Sequence, residues 1–477
     1  MIKTCRAAMA VLSLYGTAEA QIYSAPSEPA RPPNYTELRY DEDYSYLKDP
    51  ALRTDLFDPI KYVPLDRQGD WYASFGGEMR DRYEYFNHDL FAAGTQDKNG
   101  YNLLRVMANV DGHFGANLRV FFQGISATEQ GRQGGRRSSD VDQFNLHQAF
   151  VDVKIPSGAD SDFTLRSGRQ NMIFGDQRLI GVSDWTNVRR TFDGFRGTLV
   201  MAGNTVDVFY ARPVLPAKYR FDNDVPGTDI VGIYETWQVP GALAKTRTQL
   251  EIYLLYVNRE SITFNQTTAG ETRYTLGARL TATPRPFDFD IEFDYQLGRF
   301  SGEDIRAYSV AAIGGYTFEN TRFAPRAFLG FDIASGDRRN GSANTFDQLF
   351  PSGHNQFGQI DAIGRQNIID VHPGLDLTLL ENQPYVQHLA LTIEYRQFWR
   401  QSNKDAVYAS NGTVLRASDG SSATEIGGEI DLRVNWRIHR HTNFYAGYSH
   451  FFHGPFIQET GPHHDIDFLY AALTFEF

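Results

Sequence analysis

The stretch Ile466–Phe477, IDFLYAALTFEF, decides the fold. Phe477, Phe475, Leu473, Ala471 and Leu469 fall on one parity; Glu476, Thr474, Ala472, Tyr470 and Phe468 fall on the other. Side chains of a strand alternate between its two faces, so this segment presents one apolar face and one mixed face. A last strand of this kind, with a terminal Phe, suits the closing strand of a membrane barrel. Closure matters there because no unpaired sheet edge can be left facing lipid.

The same alternation runs through the chain from Trp71 onward. Phe75, Met79, Tyr83 and Tyr85 oppose Glu78, Arg80, Arg82 and Glu84. Leu104, Val106, Ala108 and Val110 oppose Arg105, Asn109, Asp111 and His113. Phe289, Ile291, Phe293 and Tyr295 oppose Asp288, Asp290, Glu292, Asp294 and Gln296. Near residue 430, Ile426, Ile430, Leu432, Val434 and Trp436 oppose Glu425, Glu429, Asp431, Arg433, Asn435 and Arg437, which predicts an unbroken strand.

Continued in this way, the pattern predicts eighteen strands. Their centres lie near residues 79, 108, 123, 149, 166, 198, 209, 233, 253, 277, 293, 311, 329, 373, 393, 431, 446 and 471. The connections alternate in length. Short ones include Gly115-Ala116, Ala202-Gly203-Asn204, Thr283-Pro284-Arg285-Pro286 and His439-Arg440, and long ones include 171–193, 335–366 and 401–423. The loop at 301–304 breaks the rhythm by being short. Short periplasmic turns and long outer loops are the habit of outer-membrane barrels. The fold class expected is therefore all-β, a transmembrane antiparallel β-barrel of about eighteen strands over residues 71–477.

Bulk composition agrees. Of 477 residues, 35 are Phe and 26 are Tyr, yet the mean hydropathy is −0.43. Nothing beyond the leader approaches the roughly 20 apolar residues of a membrane helix. Half-lipid-facing strands give many aromatics without long apolar runs. A net charge of −12 argues against a nucleic-acid partner. The only cysteine, Cys5, sits in MIKTCRAAMAVLSLYGTAEA. Lys3 and Arg6, an apolar run from Ala7 to Tyr15, and Ala18-Glu19-Ala20 make residues 1–20 a secretory signal cleaved after Ala20. The mature chain then lacks cysteine, which excludes disulfides, thiolate zinc sites and cysteine nucleophiles. Residues 21–70 are rich in Pro and Tyr and show no period. They read as an extended segment, either periplasmic or tucked into the lumen.

With lipid outside, the opposite parity faces water within, and eighteen strands enclose room for a channel. That parity places Arg80, Arg82, Arg105, Arg119, Arg166, Arg279, Arg326, Arg396 and Arg433 in the lumen, with Arg273 and Arg437, among many carboxylates. A guanidinium offers a planar fork that fits a carboxylate, so a ladder of them favours an anionic solute. The alternative is that these are cross-strand ion pairs with no role in transport. Enzymatic signals are poor: H-E-x-x-H, G-x-S-x-G, Walker and dinucleotide-binding motifs do not occur, and no cofactor is expected. His463-His464-Asp465 reads as a solvated turn in the last outer loop. An outer-membrane hydrolase using His450 or His113 would need a serine that nothing places beside either.

Several ordered stretches resemble the alginate-export family of outer-membrane barrels. They are YSYLKD from Tyr44, FGGEMRDRYE from Phe75, LHQAFVD from Leu146, Gly168-Arg169-Gln170, NVRRTFDG from Asn187, DIASGD from Asp332, FWRQS from Phe398, and the tail from Gly447. The resemblance implies a Gram-negative outer-membrane porin with an Arg-rich, anion-favouring constriction that passes a polyuronate. The implied partners are an anionic saccharide, outer-membrane lipids and lipopolysaccharide, and the barrel-assembly machinery, which would engage the Phe477 strand. It also directs attention to Arg169 and to the 171–193 loop, which carries Arg178, Arg189 and Arg190 with Trp185 between them. That loop either folds into the mouth and narrows it, or stays outside against lipopolysaccharide phosphates. The long periplasmic plug-like turn associated with alginate export has no counterpart at His439-Arg440, which leaves a simpler inward pore for small anions or sugars open.

Overall fold

The computed structural model describes residues 35–158, 160–239, 248–338, 342–354 and 356–477. The leader expected at residues 1–20 lies outside them. Eighteen long strands follow one another: β1 Trp71–Asn87, β2 Tyr101–Phe114, β3 Leu118–Gln130, β4 Asp142–Gly158, β5 Ser161–Gln170, β6 Phe192–Met201, β7 Asn204–Leu215, β8 Thr228–Gln238, β9 Thr248–Phe264, β10 Thr267–Ala282, β11 Phe287–Phe300, β12 Glu303–Thr317, β13 Arg326–Ala334, β14 Ile368–Gln383, β15 Val386–Arg400, β16 Glu425–His439, β17 Thr442–His453 and β18 Ile466–Glu476. Each contains one of the centres expected from parity. Every strand pairs antiparallel with its sequence neighbours, and β18 pairs with β1 from Glu476↔Glu78 to Asp467↔Asn87. Phe477 extends the seam: its amide donates to the Gly77 carbonyl at 3.0 Å, and its own carbonyl accepts from Gly77 at 2.9 Å. The sheet is thus a closed ring with no free edge.

The two parities do what the terminal strand announced. In β18, Leu469 and Leu473 are 48% and 47% exposed, whereas Phe468 and Tyr470 are 1% and 3% exposed. The same split holds in β11, where Ile291 and Phe293 face out while Glu292 and Asp294 are buried. Apolar outside and polar inside inverts the usual soluble arrangement and fits a barrel solvated by lipid.

β16 departs from the expected pattern. In β16, Ile426 is buried and Glu425 is exposed, the reverse of the reading by strict alternation. The cause is a bulge: Trp399 pairs with Glu425 but Phe398 with Gly427, so Ile426 is the extra residue. Gly427 has φ +145°, and a Cβ there would come 2.2 Å from the Phe452 carbonyl, so glycine is required.

Turns 115–117, 202–203, 283–286 and 440–441 sit at one end of the ring with the start of β1 and the end of β18. Loops 171–191, 335–367 and 401–424 sit at the other. Two connections at the long-loop end are short, 265–266 and 301–302. Neither inward-folding long loop stays outside the ring. Met172, Phe174, Leu179 and Ile180 of the first pack with Phe346, Phe357, Ile360 and Ile363 of the second, and with wall residues Phe209, Tyr234, Tyr253 and Leu255, in one apolar cluster. Paired backbones at Ile180 and Phe350 join the two loops. The interior expected to be open is therefore largely filled on the side of β7–β14.

Candidate functional site

Residues 35–62 enter the short-turn end. Three tight turns and one helical turn at Asp58–Lys61 carry them, with no regular period. Tyr40 anchors the segment: its ring meets Phe121 and Phe150 edge-on at 5.9 and 5.3 Å, Arg166 lies over it at 4.0 Å, and its hydroxyl donates to the Asn171 carbonyl at 2.9 Å. Arg39 donates to the carbonyl of Phe477 at 2.7 Å. Lys61 lies over the ring of Tyr44 at 4.7 Å, and burial, with help from Arg39, pushes its amine down to about 7.

The first inward loop meets this segment in mid-lumen. Gln177 donates to the Glu37 carboxylate at 3.2 Å, and Arg189 donates to the Glu37 carbonyl at 3.1 Å. Asp184 is the hub. Arg105 of β2 reaches it at 2.7 Å and also holds Glu78 of β1 at 2.8 Å through its Nε. Arg189 donates to the same Asp184 oxygen, and Arg80 donates to the Asp184 carbonyl at 2.7 Å. Burial alone would raise the Asp184 pKa, but Arg105, Arg189 and Arg80 more than reverse this and hold it well below the usual carboxylate range. Next along the loop, Trp185 is sandwiched. Arg82 lies over one side at 3.9 Å, and His354 of the second loop stacks with centroids 3.6 Å apart and planes 7° from parallel. Tyr470 of β18 meets Trp185 edge-on at 5.0 Å.

Between this layer and the wall of β15–β18 remains a cavity of about 700 Å³. Its plug side offers Glu37, Asp184, Trp185, Arg189 and His354; its wall side offers Arg80 and Arg105 of β1 and β2 and Thr392, Arg433, Asn435, Arg437, Asn443 and Tyr445. Arg433 bonds one carboxylate, Glu394, at 2.8 Å and stays 28% exposed. Arg437 is exposed and has no ion pair among the described residues. The arrangement sets two reachable guanidinium groups across from an indole–imidazole stack.

The twelve arginines singled out from sequence divide into groups. Arg80, Arg105, Arg189 and Arg433 line the cavity, and Arg82 backs Trp185. Arg119, Arg166, Arg279, Arg326 and Arg396 face inward but are held elsewhere on the wall. Their partners are Asp111 for Arg119, Asp152 for Arg166, Asp290 and Glu251 for Arg279, Asp288 and Asp376 for Arg326, and Asp370 and Glu394 for Arg396. Two do not belong to the pore lining. Arg169 shares the outward parity of Leu165 and forks onto Asp193, which also points out, at 2.8 Å. Arg190 is a staple: it donates to the carbonyls of Gly181, Phe350 and Pro351 at 3.1, 2.6 and 2.8 Å, and burial pushes it down to about 10. His354, Tyr445 and Glu37 were missed from sequence, the first and last because they lie in segments without a period.

Candidate catalytic or metal groups have other partners. His450 bonds Asp467 at 2.8 Å and His113 lies 3.2 Å from Asp111. Asp332, Asp370 and His372 cluster, but Arg365 takes Asp332 at 2.6 Å and Arg396 takes Asp370 at 2.7 Å.

A lipid-facing ring of eighteen strands around a polar, loop-narrowed lumen defines an outer-membrane β-barrel channel, with its long-loop end outside the cell and its short-turn end in the periplasm. The family model described as alginate export matches residues 71–469, and the chain belongs to that family. Solved structures share the fold. The outer membrane protein OpdK of Pseudomonas aeruginosa superposes with a TM-score of 0.56 at 11% identity, covering 85% of this chain and 99% of that one. A structure of OpdK with vanillate gives 0.57 at 10% identity, covering 85% and 98%. OccD3 (OpdP) of the same organism gives 0.55 at 11%, covering 90% and 96%. A comparison with curated proteins found no significant match.

Proposed function

We propose that this passive outer-membrane channel conducts carboxylate-bearing saccharides of the alginate type along the β15–β18 side of its lumen. The observation that carries the reading is the cavity face on which Arg433 and Arg437 stand across from the Trp185–His354 stack. Each part of a uronate finds its complement there: the guanidinium groups pair with its carboxylate, and the indole edge, left open between Arg82 and His354, lies against the apolar side of its ring. The Arg105–Asp184–Arg189 cluster, with its two guanidinium groups buried and its carboxylate half-exposed at the cavity, orients the indole, and its donors are taken up within the protein. Arg433 keeps its Glu394 bond, so binding is weak enough for release.

The test is single-channel recording in a planar bilayer. The expected result is a steady conductance that prefers anions and is blocked by uronate oligosaccharides. A cation-preferring conductance, or block by neutral oligosaccharides alone, overturns the proposal. The modest size of the cavity favours a second reading, entry of small carboxylates rather than polymer export. Block by monomeric carboxylates without block by longer uronates selects that reading.

A further inference from the structure

On the outward face of β1–β4, Phe75, Met79, Val106, Val110 and Phe122 are exposed and form the lipid belt. Toward the long-loop end this face takes in its first polar pair, Asp81 and Asn102, bonded at 2.6 Å. Strand register carries that row from Asp81 to Leu104 and from Leu104 to Thr128. The next pairs, Ala127↔Asp142 and Ile125↔Asn145, leave two residues of β4 opposite one of β3. One of the two is Phe144, 90% exposed, with φ +55°. A bulky aromatic in the left-handed region is strained, and here its ring gains no packing within the chain.

Directly beside it, loops 131–141 and 216–227 interlock. Asn145 donates to the Arg220 carbonyl at 3.2 Å, Arg136 donates to the Tyr219 hydroxyl at 2.9 Å, and the Lys218 amine donates to the Arg136 carbonyl. Tyr219 and Phe221 are exposed. Neighbouring Arg132 and Arg137 are neutralised by Glu129 and Asp140. Arg136, Lys218 and Arg220 have no ion pair among the described residues. This corner therefore holds three cations free of ion pairs among the described residues, with the Asp142 and Asp222 carboxylates turned to Asn145 and the Ala217 amide, next to an aromatic ring that projects outward.

We infer that this corner is a binding site for the lipid A portion of lipopolysaccharide. Its sugar-borne phosphates would pair with Arg136, Lys218 and Arg220, and its acyl chains would lie against Phe144. Charge complementarity at the height of the headgroups, with an apolar anchor below, is what an anionic amphiphile needs. The site lies on the outside of the ring and is independent of the solute passing within it.

Native mass spectrometry of the purified full chain in detergent tests this, with diphosphoryl lipid A, dephosphorylated lipid A and phosphatidylglycerol as probes. One diphosphoryl lipid A should bind. Joint Arg136→Ala, Lys218→Ala and Arg220→Ala substitution should weaken it roughly tenfold or more, and Phe144→Ala by a smaller factor. Arg306→Ala, an exposed rim cation on β12, four strands beyond β8 and eight beyond β4, should change nothing. Heat-modifiable migration reports folding, and single Arg220→Ala serves if the triple variant does not fold. Equal binding by the variant, by dephosphorylated lipid A or by phosphatidylglycerol overturns the assignment, as does a folded wild type that binds no lipid A.

Discussion

On the β9–β11 side of the lumen, Arg259 meets both Glu271 and Asp347, and Arg279 forks onto Asp290 while also touching Glu251. On the β15–β17 side, Arg433 meets one carboxylate, and Arg437 meets none among the described residues. The residue type and inward parity are the same, yet the first pair is locked beneath the folded-in loops and the second faces the cavity. A guanidinium already forked onto two carboxylates has spent its donors; one with a single partner still has a free edge. What separates structural from solute-facing arginines in this channel is the local supply of carboxylates and the loop above them, not the arginine itself.

The comparison can be broken most severely at the cluster that holds the loop in place. Arg105→Ala leaves Asp184 and Glu78 short of a buried partner, and the expected loss is about 3–5 kcal/mol. A lowered unfolding temperature in detergent checks it; an unchanged one would mean that Arg189 alone suffices. The next largest effect belongs to the stack. Trp185→Ala removes the indole edge and the stack that positions His354, and should weaken block by uronate oligosaccharides about tenfold, a loss of about 1–2 kcal/mol. Block constants from single-channel traces read it directly.

Smaller effects sharpen the contrast between the two sides. Arg433→Ala with Arg437→Ala should lower the anion-to-cation permeability ratio severalfold, whereas Arg279→Ala should leave it unchanged. Reversal potentials in a salt gradient distinguish them, and an equal drop in both would erase the distinction. The effect furthest from the cavity is set by pH at Lys61. Its folded pKa, about 7, lies below the ordinary lysine value, so the docked segment prefers the neutral amine. Docking should therefore be weakest below pH 7 and strengthen as pH rises from 7 toward 10.5, by at most about tenfold per unit. Hydrogen exchange over residues 35–62 measures this slope, and Lys61→Met should flatten it.

The wall was legible because a period of two reports which face a residue takes, and lipid outside makes that signal strong. It fails where the backbone adds a residue, as at Ile426, since a bulge leaves no compositional mark beyond Gly427. The odd spacing between Arg166 and Arg169 already put them on opposite faces, so parity, followed strictly, separates Arg169 from the lumen. The loops are a different matter. Arg189 and Arg190 are adjacent, yet one joins the cavity cluster and the other bonds three backbone carbonyls. No periodicity distinguishes them, because their directions are fixed by contacts with residues 350–354, far away in sequence. The same holds for Tyr40, whose partners come from β3, β4 and the first inward loop.

Phe477 ties these parts together in time as well as in space. Its main chain completes the seam with Gly77, and its carbonyl is also what Arg39 grips. A nascent ring whose final segment has not yet arrived offers Arg39 no such acceptor. The N-terminal segment thus gains this one contact only once the last strand is in place, while Tyr40 can already meet β3 and β4.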